Sequence, residues 1–159
     1  MRTKQEIGRH SRRKGSAFER EIARLFSRWC DGLPCRRTPM SGAYGPEWGL
    51  AGDLMFQGDN VPNVIIELKR RESWTWPSLL NNRGAVIRWW RTLVKECKKD
   101  PRDPEPVLIF KRNRGEIWIG CRSLHSIGAQ FGAVPPVIIR LPHVPLCIFR
   151  ARDVHNWRY

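Results

Sequence analysis

Residues 62–70 (PNVIIELKR) constrain the fold more tightly than any other part of this chain. Strand alternation puts Ile65, Glu67 and Lys69 on one face and Val64, Ile66 and Leu68 on the other. Apolar side chains on both faces belong to a strand covered on both sides, at the centre of a sheet. Charges in such a strand are costly unless paired. Glu67 and Lys69 therefore need either a strong local pairing or a chemical purpose.

The elements around this strand define the class. Residues 15–30 (GSAFEREIARLFSRWC) carry Phe18, Ile22, Leu25, Phe26 and Trp29 at steps of three and four. That spacing makes one apolar helical face. Ser16 is the expected N-cap, with Glu19 as its capping-box partner, and Gly32 and Pro34 end the helix. Residues 33–38 read as a short strand or extended edge, and the Gly/Pro-rich residues 39–50 as a loop. A strand over 51–57 and a turn at 58–60 lead into 62–70. One long helix is expected over 78–98, with Val86, Ile87, Trp90, Leu93, Val94 and Cys97 inward. A breaker-rich loop fills 98–106. Strands at 107–110 and 116–120 flank a KRNRG turn. A short helix over 123–131 and strands at 137–140 and 146–149 follow. The expected fold is a single α/β domain with a central mixed β-sheet flanked by helices. Residues 1–14 are expected as a mobile basic arm and 15–159 as the folded domain.

The chain carries 29 Lys plus Arg against 15 Asp plus Glu, a formal net charge of +14. So basic a domain calls for a polyanionic partner, with nucleic acid ahead of acidic lipid. No apolar run reaches the length of a membrane span. The N-terminus lacks the apolar centre of a signal peptide. The 5 cysteines are odd in number and have no C-x-x-C spacing, which argues against a disulfide framework or zinc ribbon. A reducing cytoplasm is the expected setting.

Asp53 opens the strand before Glu67 and Lys69. If the two strands pair, a divalent cation fits between the carboxylates. Mg²⁺ prefers such hard oxygen donors, and it polarises phosphoryl oxygens and acidifies bound water. Lys69 can hold the attacking water or offset developing charge. The bland alternative is a surface hairpin with ordinary ion pairs. Asp53, Glu67 and Lys69 match the signature of the PD-(D/E)xK nuclease superfamily, with Gly52 in place of the usual Pro. Residues 14–26 (KGSAFEREIARLF) resemble the opening of archaeal-type Holliday-junction resolvases, and a phage-encoded relative fits the small size. Arg37 and Ser41 sit where that family carries an Arg and a Ser, although the loop 42–51 is longer than usual. The resemblance covers roughly residues 12–70. It implies a restriction-endonuclease-like core and a metal-dependent endonuclease. It also implies Mg²⁺ as cofactor, with Mn²⁺ as a substitute, held by Asp53, Glu67 and the Leu68 carbonyl. Glu19 would complete the catalytic set, although helical spacing alone leaves Glu19 and Glu21 equivalent. The implied substrate is a four-way DNA junction and the implied assembly a C2 homodimer. The expected location is the cytoplasm of a bacterial, archaeal or phage-infected cell. A general duplex nuclease and a non-catalytic nucleic-acid-binding module are the alternatives.

Arg12, Arg13, Lys14, Arg20, Arg36, Arg37, Arg70 and Arg71 cluster in sequence around these acids and are the candidate DNA contacts. Phosphate contacts of this kind position a duplex without reading its sequence. Among 8 Trp, Trp29, Trp90 and Trp118 fit apolar faces. Trp74, Trp76 and Trp48 are ambiguous: they either stack on exposed bases or seal an interface or the sheet end. The 4 His have no ligand spacing.

Overall fold

The structure is a computed structural model. It describes residues 4–30, 32–39, 52–122, 137–142 and 144–153, with side chains from Arg13 onward except Trp29. Ser41, Trp48 and the expected helix over 123–131 lie outside the described residues. Helix α1 spans Lys4–Trp29, followed by β1 (Cys35–Arg37), β2 (Leu54–Phe56) and β3 (Val64–Arg70). Helices α2 (Trp76–Leu80) and α3 (Gly84–Cys97) lead to β4 (Glu105–Lys111) and β5 (Trp118–Cys121). The last strands are β6 (Val137–Ile139) and β7 (Leu146–Arg150).

Among the described residues, seven strands form one sheet in the order β1-β2-β3-β4-β5-β7-β6. The pair β3–β4 is parallel and every other pair antiparallel. The fold is thus the mixed α/β sheet expected, and β3 is internal with β2 and β4 on either side. Its alternation divides the core. Ile66 and Leu68 join Phe18, Ile22 and Phe26 of α1 on one face. Ile65 joins Val86, Trp90 and Leu93 of α3 on the other. The parallel crossover requires a long connection, which α2 and α3 supply.

Two expectations change. Helix α1 starts at Lys4, so residues 4–14 are helical rather than a mobile arm, and Ser16 lies inside the helix instead of capping it. Lys, Arg, Gln and Glu are good helix formers, and here that propensity outweighs the repulsion between neighbouring basic residues. The single helix expected over 78–98 is two helices. Thr75 caps α2 by accepting a hydrogen bond from the Ser78 N–H, and Pro77 sits in its first turn. The chain then turns through Asn82 (φ 56°) and Gly84 (φ 86°). Asn tolerates the left-handed region and Gly enters it freely.

The tryptophans beyond β3 belong to the second core. Trp74 is 4% exposed and meets the Phe110 ring edge-on at 5.1 Å. Trp76 meets Trp118 edge-on at 4.6 Å. These two rings pack at the sheet end, which is one of the two alternatives the sequence left open for them. Trp90 is buried as expected and Trp118 is half-buried. No described helix is long and apolar enough to cross a membrane.

The five cysteines form no disulfide with one another; Cys30 is half-buried and the others buried. Burial pushes the Cys35 and Cys97 thiols up to about 12. Only the thiolate reacts with alkylating agents. Brief iodoacetamide treatment of the folded protein at pH 8 is expected to modify Cys30 ahead of the other four. Peptide mass mapping checks this, and urea should equalise the five.

Candidate active site

Asp53 is placed by its backbone. Its N–H donates to the Ile66 carbonyl of β3 at 2.7 Å, and its carbonyl accepts from the Thr38 N–H, just past β1, at 2.9 Å. Gly52 makes this approach possible. It has φ +87°, and a Cβ there would lie 2.7 Å from the Ile66 oxygen. No other residue type fits both the conformation and the space. One Asp53 carboxylate oxygen, Oδ2, accepts from the Leu68 N–H at 2.8 Å. The carboxylate is thereby held over β3, beside the backbone from Glu67 to Lys69.

Asp53, Leu68 and Lys69 line a cleft of about 460 Å³ together with Glu19, Arg37, Arg70 and Arg71, closed by Gly15, Ser16 and Phe18. Glu19 is ion-paired with Arg37 and its side chain is 15% exposed. Glu21 instead points to Lys111, at 3.7 Å. Of the two helix acids that spacing left equivalent, Glu19 is thus the one at the cleft. Glu67 is not on the cleft wall. It is ion-paired with Lys69, and burial followed by the nearby Asp53 charge raises its pKa above the ordinary 4.5.

Asp53, just before β2, and Glu67 of β3 are two repelling carboxylates next to the Leu68 backbone. This donor set fits a divalent cation that favours oxygen, because such an ion relieves the repulsion. Among the described residues no cluster of three or more His, Cys, Asp or Glu stands ready to hold a metal. Any ion here would take its remaining ligands from backbone, water or substrate.

The basic residues divide. Arg37, Arg70 and Arg71 line the cleft. Arg70 donates to Asn113 Oδ1 at 3.1 Å, while Glu72 accepts from the Asn113 N–H at 2.5 Å and from Arg112 at 3.1 Å. These contacts tie the β4–β5 turn to the end of β3. Lys14 is half-buried on α1. Arg13 is exposed on α1, and Arg12 lies on α1 with its side chain outside the described residues. Arg20 and Arg36 line a neighbouring cleft with Arg24. Arg24 was missed, although it stands one helical turn beyond Arg20.

The internal β3, the clamped Asp53 and the E-x-K spacing fit the PD-(D/E)xK signature. The chain matches the family described as "Phage putative PDDEXK endonuclease" over residues 10–132, and it belongs to that family. It is also 32% identical over 113 residues to Protein D14 of Escherichia phage T5, covering 69% of this chain and 68% of that protein. No solved structure matches it.

Two outcomes are expected of substitutions here. Gly52→Ala should cost about 1–3 kcal/mol of stability, through overlap and a strained φ, measured by urea unfolding. The Glu67 carboxyl holds its proton more tightly in the fold than in the unfolded chain. Its contribution to stability is therefore fullest below the unfolded pKa and is lost as pH rises through the raised folded value. Glu67→Gln should accordingly raise the melting temperature of the metal-free protein at pH 8, and the gain should vanish near pH 4.

Proposed function

We propose that the protein is a Mg²⁺-dependent endodeoxyribonuclease that resolves four-way DNA junctions by paired symmetric nicks. The observation that carries the nuclease reading is the cleft in which Glu19, Asp53 and Lys69 meet, flanked by Arg37, Arg70 and Arg71. The junction substrate is supported by the likeness of residues 14–26 to the opening helix of archaeal-type resolvases. Matched nicks in two strands related by a two-fold axis call for a C2 homodimer. In this reading the protein acts in the cytoplasm of a phage-infected cell.

Placement supports the following roles. Asp53, Glu67 and the Leu68 carbonyl would hold Mg²⁺, or Mn²⁺ in its place. The bound ion supplies Lewis acidity and a water acidic enough to attack phosphorus near neutral pH. Lys69 positions the attacking water and offsets charge on the phosphoryl oxygens. Glu19 orients the polar end of the cleft. Its ion pair with Arg37 would loosen as a phosphate takes the guanidinium. Arg70 and Arg71 contact the phosphates on one side, with Lys14 and the preceding Arg12 and Arg13 extending that surface along α1. The resemblance implies 5′-phosphate and 3′-hydroxyl products, with the leaving oxygen protonated by solvent.

A labelled immobile four-way junction, incubated with Mg²⁺ beside a linear duplex of the same sequence, tests this. Symmetric nicks are expected in the junction alone. Asp53→Asn should lower the rate by at least ~100-fold while retaining DNA binding. Equal cutting of both DNAs would leave a general duplex nuclease. Tight binding without cutting by the wild type would overturn the catalytic reading.

A further inference from the structure

A second cleft adjoins the first. It holds about 420 Å³ and is lined by Arg20, Ala23, Arg24, Cys35, Arg36 and Arg37. Four of its six wall residues are arginines, and Arg37 lines both clefts. We infer that this cleft is a second phosphate subsite, gripping a backbone phosphate of the DNA strand beside the one cut. The inference rests on the nuclease reading above and adds a contact outside the catalytic cleft.

Charge is the first support. Glu19 is taken by Arg37 and Glu21 faces Lys111. Among the described residues no carboxylate pairs with Arg20, Arg24 or Arg36. Arg20 and Arg24 are four apart on α1, where like charges repel. Arg24 Nε donates to the Arg20 carbonyl at 3.3 Å, which lays its side chain along the helix. The remaining guanidinium N–H groups are a match for phosphate oxygens, which they can grip two at a time.

Rigidity is the second support. The Ser27 hydroxyl accepts from the Cys35 N–H at 2.8 Å and lies 3.0 Å from the Ala23 carbonyl, to which it can donate. This one side chain pins edge strand β1 to α1, and both residues that form the cleft floor are its partners. The floor is also neutral. Burial keeps the Cys35 thiol protonated, so it adds no negative charge against a phosphate. The arginines thus project from two walls whose backbones are tied together.

The test uses the full-length protein and a junction DNA without divalent metal, with binding read by fluorescence anisotropy across a salt series. Arg24→Gln/Arg36→Gln, both exposed positions, is expected to reduce the slope of log K against log salt by about 1. Arg91→Gln/Lys95→Gln on α3, which removes the same charge elsewhere, should keep the wild-type slope. A second arm places single neutral methylphosphonates through the strand beside the cut. At one position this should weaken wild-type binding on the order of tenfold and leave the double variant unchanged. An unaltered slope, or a loss at that position equal in both proteins, overturns the subsite. If the wild type cuts DNA in that case, the nuclease reading stands. If the wild type neither binds nor cuts, both fall.

Discussion

The site depends on one close approach, that of Gly52 to the Ile66 backbone. A strand normally carries a functional side chain at the spacing its ladder dictates. Here only Leu54 registers with Ile66, and the chain before it closes onto β3 through the Asp53 N–H. The Thr38 N–H holds the carbonyl of the same residue. Asp53 is therefore fixed by main-chain bonds on two sides, and its carboxylate adds a third through Leu68. That arrangement needs no side chain to be soft, which suits a group that must stay put while charge changes around it. Gly52, lacking a Cβ, stands where the superfamily signature usually has Pro.

Charge balance explains the remaining architecture. Two of the acids at the site each have a cation: Arg37 for Glu19 and Lys69 for Glu67. The pairing offsets part of the cost of half-burying them. It is incomplete at Glu67, where burial and Asp53 outweigh Lys69 and hold the pKa up. A cation between the carboxylates would remove that excess, so the strain and the donor set point the same way. The basic residues show the opposite imbalance. Around the second cleft the arginines outnumber the acids available to them, which makes that surface receptive to a polyanion.

Much of this was legible in the sequence because β3 writes two periods at once. Its apolar alternation announced an internal strand, and the charges at Glu67 and Lys69 interrupted it where the site lies. The apolar faces of α1 and α3 were legible for the same reason. What was not legible had weak or competing signals. Residues 4–14 are rich in charge, which suggests a solvated arm, yet the same residues favour helix. The break at Asn82 was hidden because apolar residues keep a helical period on both sides of it. Trp74 and Trp76 stand in polar company in the sequence, and only the folded sheet reveals Phe110 and Trp118 opposite them.

The choice between Glu19 and Glu21 shows why the strand and the helix had to be read together. Both flank the apolar stripe of α1, one on each side, so the helix alone treats them alike. The sheet breaks that symmetry. Strand β1 pairs with β2 on the side where Asp53 enters, and it brings Arg37 toward Glu19. Strand β4 ends on the opposite side, where Lys111 lies 5.4 Å over the Phe18 ring and faces Glu21. Glu21 is thereby occupied in joining α1 to the sheet. Glu19 is left beside Asp53 and Lys69 on the cleft wall, paired with Arg37.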